Sequence, residues 1–130
     1  MLLDLPSNRD EAWRWSNLSA LPKLAEAAPS GRVPDALPWI ETERPGPRLL
    51  FVDGAFVAEA SDPMEVKVSA ARYRPGTQPL ADLASNEAKT GYVIALGANE
   101  AASGLVQIVH VSTGGAAHYS NRIVLKDTAQ

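Results

Sequence analysis

The chain has two histidines, His110 and His118, and both lie in the stretch Gly104 to Leu125. Two apolar runs of β type, Leu105–Val111 and Tyr119–Leu125, flank a corner of small residues, Ser112-Thr113-Gly114-Gly115-Ala116-Ala117. Imidazoles ligate metals and move protons near neutral pH, so the pair is the first candidate for a metal or acid–base site. Spacing decides whether the two can act together. A two-residue turn at Gly114-Gly115 sets His110 against Tyr119 and His118 against Val111, on opposite faces of a hairpin. A three-residue loop, Thr113 to Gly115, pairs His110 directly with His118. In either register a zinc site still needs a third ligand, and none is evident. Ordinary structural histidines are the default reading.

Other chemistries have weaker signals. Ser112 and Ser120 lie near the histidines, but no G-x-S-x-G elbow exists, and hydroxyls beside glycines usually form turns. Gly97-Ala98-Asn99 and Ser112-Thr113-Gly114-Gly115 are small loops, yet neither leads into a helix N-terminus with a Walker lysine. Trp13, Trp15 and Trp39 could stack a ligand in a stand-alone binding module. The simpler role is to pack a helical cap onto a small core. Arg9, Glu11 and Arg14 read as a solvated helix face.

The elements that would position these residues change character along the chain. Ser7 can cap a helix over Asn8 to Trp15, with Asp10 and Glu11 at its positive end. Trp13 and Trp15 cannot share one face of that helix, so one of them should pack under the next turn. A second helix is predicted from Ala20 to Ala28, with Pro22 in its first turn and an apolar stripe of Leu21, Leu24, Ala25 and Ala28. Residues 33–47 read as an extended proline-rich connection anchored by Trp39-Ile40. Arg48–Val52 and Ala55–Val57 are strands joined by Asp53-Gly54, the strongest hairpin signal in the chain. Glu65 to Ser69 alternates as a strand with one wet face. Pro79 to Ala88 reads as a short helix, and Gly91–Leu96 as an apolar segment of ambiguous type. Helices followed mostly by strands give an α+β expectation. Three segments result: a helical 1–32, a mixed 33–103 and a terminal β segment 104–130, together one compact domain.

Composition narrows the function classes. At 130 residues the chain suits one modest core. Net charge is −3 and the basic residues are scattered, which argues against nucleic acid or an acidic membrane surface as partner. There is no cysteine, so no disulfide, iron–sulfur thiolate cage or Cys-type zinc site can form. Met1-Leu2-Leu3-Asp4-Leu5-Pro6 lacks the basic and apolar regions of a signal peptide, and no apolar run reaches the length of a membrane span. A cytoplasmic location is expected.

Three stretches carry a family resemblance. Leu5-Pro6-Ser7-Asn8-Arg9-Asp10-Glu11-Ala12-Trp13-Arg14-Trp15-Ser16-Asn17-Leu18 resembles the L-P-x-x-x-x-E-x-W-K/R-Y-T-x-L opening of the SufB/SufD family. Leu49-Leu50-Phe51-Val52-Asp53-Gly54-Ala55-Phe56 is similar to its L-V-F-V-N/D-G-x-F hairpin. Ile108-Val109-His110-Val111-Ser112, followed by His118 to Leu125, resembles the entry to its central domain. Order and spacing fit over nearly the whole chain, and the match is closer to the SufD branch than to the SufB branch.

The resemblance implies a component of iron–sulfur cluster assembly. It implies a helical and mixed N-terminal region, then a right-handed parallel β-helix whose first coil begins near residue 104. It further implies a C-terminal helical segment that contacts the ATPase SufC, and pairing of SufB with SufD. The expected role is a non-catalytic scaffold partner in a SufB/SufC/SufD-type complex, with no cofactor of its own. The sequence departs from the family plan in two ways. It stops at Gln130, near where most of the β-helix should begin, as a fragment would. The strand and corner that usually precede the Ile108 run are missing or compressed between Gly104 and Gln107. No functional residue of the family therefore has a matching position here. Strands cut off in this way would leave an unpaired edge at Ile123-Val124-Leu125, so self-association is expected. The rival readings are a small metal-dependent or hydrolytic enzyme centred on His110 and His118, and a binding module built on the tryptophans.

Overall fold

The computed structural model describes residues 6–32, 40–70, 84 and 87–130. Its framework is two three-stranded sheets. The strands are β1 (Arg48–Val52), β2 (Ala55–Phe56), β3 (Lys67–Ala70), β4 (Thr90–Leu96), β5 (Gln107–Val111) and β6 (Arg122–Leu125). One sheet has the order β2-β1-β5 and the other β3-β4-β6. Each is mixed. β1 runs antiparallel to β2 and parallel to β5, while β4 runs antiparallel to β3 and parallel to β6.

β1 organises the core. Leu49, Leu50, Phe51 and Val52 are all buried, so this strand is covered on both faces. That is why its sequence reads as a continuous apolar run rather than an alternating one. Leu49 and Phe51 meet Val66 between the sheets, and Phe56, Val68, Tyr92, Ile94, Val106, Ile108 and Tyr119 pack around them. Phe51 is the centre of an aromatic group, with Phe56 at 5.5 Å and Tyr92 at 6.1 Å between ring centroids.

The β1–β2 hairpin forms as its sequence predicts. Val52 pairs with Ala55 across the two-residue turn Asp53-Gly54. Both turn residues have positive φ, 48° and 84°, the region that Asp tolerates and Gly favours. Further pins hold the sheets. The buried Gln107 side chain accepts from the Glu41 amide at 2.7 Å and donates to the Glu41 carbonyl at 3.0 Å. Ser61 Oγ accepts from the Leu50 amide and donates to the Val57 carbonyl. Gly91, on β4, faces the Ser120 backbone so closely that no Cβ fits there.

The helical expectations are corrected. Asn8 to Trp15 is not a helix; only a single 3₁₀ turn, Glu11–Trp13, forms. The Ser7 amide donates to Asp10 Oδ2 at 2.8 Å, and Ser7 Oγ accepts from the Arg9 amide. These short polar side chains satisfy the backbone in a local turn instead of capping a helix. The second helix is α1 (Leu21–Glu26), six residues long, shorter than the predicted Ala20 to Ala28. The side chains of 24 and 25 lie outside the described residues, as do residues 33–39 with Trp39. A helix this short is unstable without tertiary cover. Of the Pro79–Ala88 prediction, Ala84 and Glu87 are helical and the Ala88 amide donates to the Ala84 carbonyl; the rest lies outside the described residues.

The expectation of N-terminal helices leading into a β-helix is likewise corrected. The described residues form small mixed sheets with almost no helix. Nor do the last two strands form a hairpin. β5 joins one sheet beside β1, and β6 joins the other beside β4. Gly91–Leu96, ambiguous in sequence, belongs to the central strand of the second sheet.

Candidate functional site

The residues with chemical potential gather where the β1–β2 turn meets the 112–119 corner. Asp53, raised by the turn, points its carboxylate at Thr113. Oδ1 accepts from the Thr113 amide at 2.7 Å and Oδ2 from the Thr113 hydroxyl at 2.6 Å. The Thr113 oxygen in turn accepts from the Gly31 amide at 3.0 Å, which ties the segment after α1 to the same point. The Asp53 amide donates to the Val111 carbonyl at 2.9 Å. Tyr119 closes the other side of the turn, accepting from the Gly54 amide through its hydroxyl at 3.2 Å. Thr90 donates to the Gly54 carbonyl at 2.6 Å.

His110 stands beside this cluster. Its register partner is Phe51, and their rings stack at 5.1 Å. Tyr119 covers another flank, with 4.1 Å between ring centroids. The outer edge of the imidazole remains open to solvent, but the stacked side is desolvated. Burial therefore lowers the His110 pKa below its ordinary 6.5, since the charged form loses water without gaining a partner. Burial raises the Tyr119 pKa above 10, opposed by the Gly54 amide and assisted by the Asp53 charge. Both shifts favour neutral rings at pH 7.

His118 sits in the corner between β5 and β6, half-buried, with its backbone against Gly54. Because His110 lies on β5 and His118 lies outside any strand, no strand register relates the two histidines. Among the described residues no group of three His, Asp or Glu side chains could hold a metal ion. Nor does either imidazole bond to Ser112, Ser120 or a carboxylate among them. A base oriented toward a nucleophile, the signature of nucleophilic catalysis, is absent from this set. Ser112 is exposed, and the Ser120 amide is spent on the Thr90 carbonyl.

A second place is a shallow groove of about 570 Å³ at the N-terminal end, lined by Ser7, Asn8, Arg14, Trp15 and Leu18 among others. The two neighbouring tryptophans differ in exposure although no helix sets their directions. Trp13 is half-buried, while Trp15 is 93% exposed with the Arg14 guanidinium 5.9 Å from its ring.

No protein-family model matches the chain, and no curated protein matches it.

Sequence reasoning placed attention on the 112–119 corner, where His110 and His118 flank the contacts made by Asp53 and Thr113. The Asp53–Thr113 clamp was missed, although an aspartate at a positive-φ turn position is the local half of its signal. The Glu65–Ser103 clamp was missed as well. There Ser103 donates to Glu65 from both its amide, at 2.8 Å, and its hydroxyl. Those bonds hold the Glu65 carboxyl below its usual pKa. Both clamps join loops far apart in sequence, and both are structural in geometry: their acceptors are already occupied.

Proposed function

We propose that this chain is a SufD-like, non-catalytic scaffold partner in a SufB/SufC/SufD-type complex that assembles iron–sulfur clusters. One observation carries the reading: the Leu5–Leu18 motif, the Leu49–Phe56 hairpin motif and the Ile108–Leu125 motif occur in the family's order and spacing. One feature supports it. The chain has no cysteine, as suits a partner that positions other proteins and does not itself hold a cluster.

The cluster is cargo in this reading, and the chain needs no cofactor. A cytoplasmic location belongs to the same proposal. Among the described residues, no helix is long and apolar enough to cross a membrane. Co-purification of the full chain with SufB-like and SufC-like proteins tests the reading.

A further inference from the structure

The two sheets enclose the core on one side and leave it open on another. β6 is the last strand of its sheet, with β4 on one flank and no strand on the other among the described residues. Paired residues on neighbouring strands share a face. Ile123 pairs with Ile94 and Leu125 with Leu96. Ile94 packs against the buried core, so Ile123 and Leu125 also lie on the core-facing side. Yet they are 60% and 58% exposed. The apolar layer between the sheets therefore runs past its last cover.

The backbone at this edge is open in the same place. In the parallel ladder the Lys126 amide donates to the Leu96 carbonyl, and the Ser120 amide donates to the Thr90 carbonyl. Even-numbered residues of β6 thus turn their amides toward β4. The odd ones, Ile123 and Leu125, turn theirs outward. The two residues that expose apolar side chains are the two whose N–H and C=O groups have no backbone partner among the described residues. A β-strand laid along β6 satisfies both at once, whereas a small apolar ligand leaves the backbone unpaired.

We infer that β6 is a self-pairing edge and that its occupant is β6 of a second copy, antiparallel about a twofold axis. The edge is self-complementary. A twofold axis through Ile123 lets the two Ile123 residues exchange both backbone hydrogen bonds and brings their side chains together. In that register Arg122 faces Val124 of the second copy. A register centred on Val124 would instead set Arg122 against Lys126, a like-charge pair that costs energy. No charge interrupts the core-facing side at Ile123 or Leu125, which is where protected edges usually carry one. This inference is independent of the SufD-like reading and stands or falls without it.

Sedimentation of the full chain up to about 1 mM tests it, because a short edge pairs weakly. The wild type is expected to shift from monomer to dimer as concentration rises. Ile123→Lys places a charge on the core-facing side, and Ile123→Pro removes the outward N–H. Both substitutions are expected to weaken dimerisation at least about tenfold while leaving the circular dichroism of the monomer unchanged. Lys67→Glu, on the β3 edge of the same sheet, and Trp15→Ala, in the N-terminal groove, are expected to leave it intact. A wild type that stays monomeric throughout overturns the inference. So does a dimer that survives both Ile123 substitutions, or one lost in Trp15→Ala alone.

Discussion

The Asp53 carboxylate grips Thr113 with both oxygens, one on the amide at 2.7 Å and one on the hydroxyl at 2.6 Å. This bidentate contact fixes the glycine-rich corner to the β1–β2 turn, and through Gly31 it also reaches the segment after α1. Hydrogen bonds to a charged group are worth about 1.5–3 kcal/mol each when shielded, and less where water competes. Asp53 is only partly buried. Asp53→Ala is therefore expected to cost about 2 kcal/mol in urea unfolding, from lost bonds plus strain at a positive φ. Asp53→Asn keeps the turn preference and should cost roughly half as much. No loss in Asp53→Asn would mean that the charge of the carboxylate contributes nothing to the clamp.

The neutral rings of His110 and Tyr119 give stability a defined pH window. His110 has its pKa lowered in the fold. Above the unfolded value near 6.5 both states are neutral and stability is full. As pH falls, the unfolded chain takes up the proton first, and stability declines until pH passes the folded pKa. Tyr119 has the opposite shift. Its contribution is full below about 10 and is lost as pH rises through the higher folded value. NMR titration should place the His110 midpoint below 6.5, and His110→Phe should flatten the acid side of the stability curve. A His110 midpoint above 6.5 would mean that an anion faces the ring.

His110 and His118 are expected to bind no metal in concert. His110 lies on β5 and His118 lies outside any strand, and no group of three His, Asp or Glu side chains that could hold a metal forms among the described residues. Calorimetric titration with zinc or cobalt should show no stoichiometric site. Saturable binding lost in both His110→Ala and His118→Ala would restore the metal-dependent reading.

What the sequence reveals here is what short-range chemistry decides. Asp53-Gly54 specifies its turn through the φ preferences of two residues, so the hairpin is readable without the rest of the chain. The unbroken apolar run Leu49–Val52 announces a strand covered on both faces. The helices are over-read because Ser7, Asp10 and Glu11 resemble a capped first turn, while the same side chains also close an isolated turn. Nothing in the local sequence says which will win; tertiary cover decides it. The final strands mislead for another reason. Two β runs joined by a glycine corner suggest a hairpin, but β5 prefers β1 and β6 prefers β4, both far away in sequence. Such parallel pairings depend on packing across the whole core. The Asp53–Thr113 clamp spans 60 residues and is invisible for the same reason.

The proposed role is tested most directly by association. The full chain, tagged and co-expressed with a SufB-like and a SufC-like protein, should retain both through affinity purification and gel filtration as one complex of fixed stoichiometry. Asp53→Ala, if it lowers stability without unfolding the chain, should reduce the yield of that complex. Elution of the folded chain alone, with SufB-like and SufC-like proteins forming their own complex without it, would contradict the scaffold role.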